Sequence, residues 1–309
     1  MEKKGAKRMI LEHTARQEAP LGAILRRELG LSSTLVKRLK WQGAFFLNGL
    51  PAHTDARVRP GDTVRVEMNE SPTGFDPEPM ALEILYEDES LLAVDKPAGM
   101  LVHPSPQRNS GTLANGVLYH FACAGERAGV HPVTRLDRDT MGVVLFAKSA
   151  HVHGLLCAML RAGQIEKTYF ASVYGVPQAP EGRIELPVWK PGGGSLIRTV
   201  DPRGQRAVTD YRLLASDGTC ALLELHPRTG RTHQLRLHCM ASGFPILGDP
   251  QYASEASAAF SRRLGLTTQQ LVAGQLAFAH PMTGRALRIV SGRTPAVPEG
   301  AGFANGAGI

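Results

Sequence analysis

The sequence predicts an α+β protein, and three observations carry that prediction. The 309 residues are 43% hydrophobic and 20% charged, the balance of an ordinary globular chain with a core to bury. Apolar residues recur at helical spacing in some segments and alternate or run together like strands in others. These helical and strand-like segments follow one another irregularly, without the regular βαβ alternation of a parallel α/β sheet. The length exceeds what one small core needs and suggests two units.

Residues 1–13 read as a mobile basic leader. In "PLGAILRREL", Leu21, Ile24, Leu25 and Leu29 share one helical face. "SSTLVKRLKWQG" predicts a second helix, with Ser32 or Ser33 as N-cap and Gly43 past its end. Its apolar positions Leu35, Val36 and Leu39 leave Lys37, Arg38 and Lys40 on the other side. "AFFLNGLPA" reads as a strand with an Asn48-Gly49 turn, and "VRPGDTVRVEM" as a second turn and strand. Two short helices with a basic face, followed by a small hairpin, resemble the alpha-L RNA-binding module over residues 14–68. That resemblance implies that Lys37, Arg38 and Lys40 bind RNA phosphates, largely without reading sequence.

Charge is distributed unevenly. Residues 1–69 hold thirteen Lys and Arg against seven Asp and Glu, a net charge of +6 out of the chain's +7. A basic appendage on a near-neutral body suits a polyanionic partner. A solvated charge run on a small domain would give the same numbers. Residues 69–81, "NESPTGFDPEPMA", read as a proline-rich linker. The segment "ILYEDESLLAVDKPAGMLVHP" then offers two strands around an acidic turn. "GTLANGVLYHF" is a helix with Leu113, Val117 and Phe121 in phase. Ser149 caps a helix whose core face is Val152, Leu155, Leu156, Met159 and Leu160, stopped at Gly163. "KTYFASVYG" and "CALLELHP" read as strands, and "THQLRLHCMASG" as a helix closed by Gly243. Residues 293–309 read as a flexible tail.

Several function classes find no support. No stretch approaches the eighteen apolar residues of a membrane span, and the start lacks the apolar core of a signal peptide. The four cysteines form no C-x-x-C pair and read as reduced, buried or nearly buried thiols of a cytoplasmic protein. His151 with His153 and His233 with His238 miss the i, i+4 spacing of zinc proteases, so no metal is expected. "KPGGGSL" lacks the Lys-Ser/Thr ending of a phosphate-binding loop, and no serine sits in a G-x-S-x-G elbow.

The stretch "TRLDRDTMG", residues 134–142, places Asp137 just before the apolar run 143–147. A carboxylate drawn out of water at the mouth of a buried strand needs a cation or hydrogen bonds to stay ionised. Candidate cations are Arg135 and Arg138 nearby, and Arg228, Arg231 and Arg236 in the distant "RTGRTHQLRLH". From spacing alone, a structural ion pair and a catalytic acid both remain open.

Read together, "ILYEDESLLAVDKPAGMLVHPSP", "TRLDRDTMGVVLFAKS", "KTYFASVYG" and "PRTGRTHQLRLHCMASGFPILGD" resemble, in that order, the RluA family of RNA pseudouridine synthases. The resemblance covers residues 82–292 and implies a mixed, largely antiparallel sheet flanked by helices. It implies isomerisation of uridine in structured RNA from an N- to a C-glycoside, without cofactor or metal. Large-subunit ribosomal RNA is the expected substrate, transfer RNA the other RNA the family modifies, and no membrane or obligate protein partner is expected. Position by position, Asp137 matches the catalytic aspartate and Tyr169 the active-site tyrosine. Arg236 matches the arginine that pairs with the aspartate, and Arg135 the arginine associated with displacing and holding RNA. Arg231 is placed with the RNA-binding residues. The family motif His-Arg-Leu-Asp-x-x-Thr-Ser-Gly is altered here: Thr134 replaces the His and Met141 the Ser. Those replacements are the features that favour a non-catalytic RNA-binding or assembly factor on the same fold. Lys96 and His103 belong to the first motif without an assigned chemistry.

Overall fold

The run Val143–Ala147 shows no polar alternation because both faces of its strand are covered. The computed structural model describes residues 9–69, 73–105, 108–126, 128–192 and 196–296. In it the strand Met141–Ala147 sends Val143 and Leu145 into one hydrophobic core and Val144 and Phe146 into another. Its antiparallel neighbour Leu91–Lys96 divides its side chains in the same way, Leu91 and Ala93 against Leu92 and Val94. The helix Ala150–Arg161 supplies Val152 and Leu156 to the first core, and the helix Leu113–Cys123 supplies Leu113, Val117 and Phe121 to the second.

These strands belong to a ten-stranded mixed sheet, with the order Glu181–Glu185, Val208–Ser216, Cys220–Pro227, Glu166–Tyr174, Leu271–Ala279, Met141–Ala147, Leu91–Lys96, Ile84–Glu87. The strands Ala286–Val290 and His131–Pro132 pair with Leu271–Ala279 and Met141–Ala147. All pairings described in this sheet are antiparallel except the short one joining Met141 and Gly142 to Val272 and Ala273. Gly142 is obligatory at that crossing: its φ is 108°, and a Cβ there would lie 2.3 Å from the Ala273 carbonyl oxygen. The helix Gln234–Ala241 packs Leu235 and Cys239 on the other half of the sheet, beside Leu223 and Leu225. It begins two residues later than the sequence suggests, because His233 adopts a left-handed conformation with φ 59°.

The N-terminal module has its own core, built from Leu21, Ile24, Leu25, Leu35, Leu39, Phe45, Val64 and Val66. Its helices are Leu21–Arg27 and Ser33–Lys40, the second capped by the Ser32 hydroxyl, which accepts from the Leu35 N–H. Its hairpin turns at Asn48-Gly49, where both φ angles are positive, as a two-residue turn of this kind requires.

Three boundary expectations need correction. The leader does not extend to residue 13, because Met9–Thr14 form a strand paired with Thr63–Met68. Its alternation of half-buried and exposed residues is clear only beside its partner. The stretch 73–81 is no loose linker: the Phe75 ring packs on the second core, Gly111 N–H donates to Glu78, and Asn115 donates to the Asp76 carbonyl. Residues 293–296 are also fastened down. Arg293 pairs with buried Asp95 and with Glu83, and the Ala296 N–H donates to the Gln270 side chain. The remainder of the expected leader, linker and tail, and residues 193–195 of the glycine-rich segment, lie outside the described residues. Among the described residues no helix is long and apolar enough to cross a membrane. Cys220 and Cys239 are buried as expected and Cys157 is half-buried, but Cys123, at the end of its helix, is exposed.

Candidate active site

Asp137 sits in the turn leading into the strand Met141–Ala147, and two groups secure that turn. Thr134 Oγ1 accepts the Leu145 N–H at 3.0 Å, so the replacement for the family's His is a satisfied part of the strand entrance. Thr140 Oγ1 accepts from the buried Gln269 side chain. The carboxylate of Asp137 meets Arg236, 99 residues away in sequence, with Nη1 donating to Oδ2 at 3.0 Å. Of the five candidate cations, Arg236 is the partner. Arg138 pairs with Asp139, Arg228 with Asp210, and Arg231 donates to the Arg206 carbonyl.

Arg236 is held from its other edge by a two-bond fork to Asp249, Nε to Oδ2 at 2.6 Å and Nη2 to Oδ1 at 2.8 Å. Nη2 also donates to Gln251 Oε1, and the guanidinium lies 4.9 Å from the centre of the Tyr252 ring. Asp249 Oδ1 accepts the backbone N–H groups of Gln251 and Tyr252. Burial alone would weaken the charge of Arg236, but Asp249 and then Asp137 raise its pKa above the ordinary value.

Asp137 is less withdrawn from water than its place before a buried strand suggests. Asp249 is wholly shielded and Arg236 almost so, while the Asp137 side chain keeps 28% of its exposure. Its surroundings include Arg236 and His233 and are not simply apolar. Among the described residues its Oδ1 takes no hydrogen bond, which leaves one carboxylate oxygen open to a substrate.

Tyr169 reaches the same place by a strand irregularity. Pairing between Glu166–Tyr174 and Leu271–Ala279 shifts register between Thr168 and Tyr169, which skips Gly274. A side chain at 274 would strike the Phe170 ring at 2.4 Å, and bulges of this kind re-aim neighbouring side chains. Desolvation, followed by the charge of Asp137, pushes the Tyr169 phenol well above its ordinary pKa, so it rests as a neutral hydroxyl. Arg135 is exposed, with its charge beside His103. On the N-terminal helix Lys37 and Lys40 are exposed as expected, but Arg38 is half-buried.

Two groups that the sequence left without a role stand close to Asp137. Lys96 is fully buried, and its ammonium donates to the carbonyls of Pro97, Met100 and Arg138 at 2.8–2.9 Å. It thereby clasps the turn that carries Asp137. Desolvation pulls its pKa down to about 8, against the supporting charges of Asp139 and Asp137. His233 places Nε2 3.9 Å from Asp137 Oδ2. Buried Tyr252 holds the other edge of the ring: its phenol oxygen accepts the Arg198 N–H at 2.7 Å and is hydrogen-bonded with His233 Nδ1 at 2.9 Å. The signal available in the sequence was only the presence of these residues inside recognisable motifs. Among the described residues no three His, Cys, Asp or Glu side chains group as a metal site.

Comparison with known proteins gives the family. The sequence model of the RNA pseudouridylate synthase family matches residues 90–241. An RNA pseudouridine synthase of Bacillus subtilis, YjbO, is 34% identical over 84% of this chain and 91% of its own length. The chain belongs to the RluA family of RNA pseudouridine synthases. Ribosomal large subunit pseudouridine synthase D of Zymomonas mobilis is 38% identical over 69% of this chain and 70% of its own. The solved structure of human RNA pseudouridylate synthase domain containing 4 aligns with a TM-score of 0.56 at 28% identity, covering 69% of this chain and 88% of that one. This pseudouridine synthase is accordingly an isomerase that converts uridine in RNA to pseudouridine.

Proposed function

We propose that this synthase modifies large-subunit ribosomal RNA in the cytoplasm, with Asp137 as the group that reacts with the nucleotide. The observation that carries the reading is the pairing of a half-exposed Asp137 with an arginine whose other edge is locked to buried Asp249. A cation fixed in this way orients the acid, while its second oxygen stays accessible. The similarity to the Zymomonas large-subunit enzyme supports the substrate, and the four free cysteines suit a reducing compartment. Residues 9–69 act as the RNA-binding module and 73–296 as the catalytic body.

The uridine leaves its stack at a cost of a few kcal/mol before its glycosidic bond can be reached. Asp137 then acts on it as nucleophile or base, the N1–C1′ bond breaks, and the uracil turns. The C5–C1′ bond forms, C5 gives up its proton, and N1 gains one, so the product has the mass of the substrate. Tyr169 offers its ring to the uracil and a neutral hydroxyl as a hydrogen-bond partner. Arg135 and Arg231, both exposed, hold the RNA around the opening.

The test is a map of pseudouridines by carbodiimide labelling and primer extension in cells lacking the protein. Complementation is with wild type or Asp137→Asn. A uridine modified only by the wild type is expected, with the variant's RNA affinity within about tenfold because no phosphate contact is lost. Modification by a folded Asp137→Asn chain would overturn the role of Asp137. A target confined to transfer RNA would overturn the ribosomal substrate.

A further inference from the structure

The basic helix of the module and the catalytic body meet around a cavity of about 320 Å³. Arg38 lines it from the module, and Phe75, His103, Asn109 and His131 from the body. The module is seated there by direct packing: Met9 touches both its own core and the body's, and Gly30 lies against Leu155 of the helix Ala150–Arg161.

Arg38 is unusual among the cations of its helix. Its Nε is shut off from solvent without a hydrogen-bond partner, and among the described residues no carboxylate pairs with it. A guanidinium N–H shut off from water and left unsatisfied is costly, and an anion drawn to the half-exposed remainder of the group would offset that cost. His103 does not repeat the charge, since desolvation, then Arg135 and His131, hold its imidazole below the ordinary pKa and therefore neutral near pH 7. The Phe75 and His103 rings meet edge to face at 5.3 Å and give the cavity an aromatic wall. A planar guanidinium fits a phosphate oxygen pair, and aromatic faces take unstacked bases. The volume lies in the range of small-ligand sites and suits one nucleotide better than a few waters. Arg135, whose charge reaches His103, links the cavity to the turn of Asp137.

We propose that this cavity is a nucleotide subsite for the substrate RNA, in which Arg38 takes a phosphodiester and the Phe75–His103 wall takes a base. The subsite rests on the reading of ribosomal RNA as substrate and makes the module part of the catalytic cleft.

The test measures affinity of the full chain for an unmodified large-subunit ribosomal RNA transcript across a salt series. Arg38→Gln should weaken binding about tenfold and lower the salt slope by about one. Arg38→Lys should restore the slope and only part of the affinity, because it keeps the charge and loses the fork. Gly74 also lines the cavity, and a Cβ there meets nothing within 4 Å, so Gly74→Trp adds bulk at the cavity wall without a clash at its first atom. It should weaken binding by a similar factor at unchanged net charge. Arg262→Gln, on the helix Glu255–Arg263, removes one positive charge elsewhere and should stay within about twofold of wild type. Equal behaviour of Arg38→Gln and Arg262→Gln would overturn the subsite, as would wild-type binding by Gly74→Trp. Either result with Asp137-dependent turnover intact leaves the function standing. Failure of the wild-type chain to bind the transcript would overturn both.

Discussion

In the catalytic body, many charged side chains are spent on one another. Arg183 and Arg228 share Asp210, Arg206 meets Glu185, Arg212 meets Glu224, and Arg236 bridges Asp249 and Asp137. The N-terminal module has such pairs too, Arg57 with Glu18 and Arg65 with Glu67. Yet Lys37, Arg38 and Lys40 run along one helix with no carboxylate partner among the described residues. Paired charges cancel beyond a few ångströms, whereas unpaired ones project a field that a polyanion feels. The difference separates two uses of electrostatics: in the body it fixes Asp137 against Arg236, and in the module it leaves a field suited to the proposed RNA contact.

The largest effect that would probe this contrast is Arg236→Gln. It leaves Asp249 buried without its cation, so unfolding in urea should show a loss of about 3–5 kcal/mol, with turnover abolished. A loss below about 1 kcal/mol would mean that the backbone N–H groups of Gln251 and Tyr252 hold Asp249 unaided.

Removing residues 1–68 comes next. RNA affinity should fall by about a hundredfold at moderate salt, and the salt slope by several units, because most of the net positive charge goes with the module. An unchanged slope would place the phosphate contacts on the body and dissolve the contrast.

Lys96→Met should lower turnover by about tenfold, since the turn of Asp137 loses its clasp to the Arg138 carbonyl. The wild type should itself lose turnover above about pH 8, as the ammonium gives up one of its three donors. The sign for stability is opposite. With a folded-state value near 8 and an ordinary one of 10.5, the native chain binds fewer protons than the unfolded chain between them. The contribution of Lys96 to stability therefore rises with pH across that window, and Lys96→Met should remove the rise from urea midpoints.

The smallest effect is expected at His233. His233→Gln should reduce turnover a few-fold, and His233→Ala by about tenfold, because only glutamine keeps an N–H donor near Asp137. Equal loss in both, with an unchanged pH profile, would reduce the imidazole to packing.

Features legible in the sequence were those set by neighbours along the chain. Ser32 and Ser149 accept the N–H bonds expected of N-caps, and Leu113, Val117 and Phe121 share a buried face at helical spacing. The four ordered motifs were enough to identify the family and to single out Asp137, Tyr169 and Arg236. The misplaced edges have a common cause. Met9–Thr14 is a strand only because Thr63–Met68 lies beside it, and residues 73–81 and 293–296 are held by the body, not by their own composition.

Tertiary structure alone decided the rest. Five arginines could have paired with Asp137, and the choice of Arg236 depended on a helix packed against the far half of the sheet. Contacts between distant segments likewise set Asp249 behind Arg236, Lys96 under the turn, and Arg38 at the seam between module and body. Periodicity and caps are written in residues a few positions apart, so the sequence by itself determined the elements and the family. Pairing of charges spans up to 210 residues and is settled by which surfaces fit together, which no local pattern encodes.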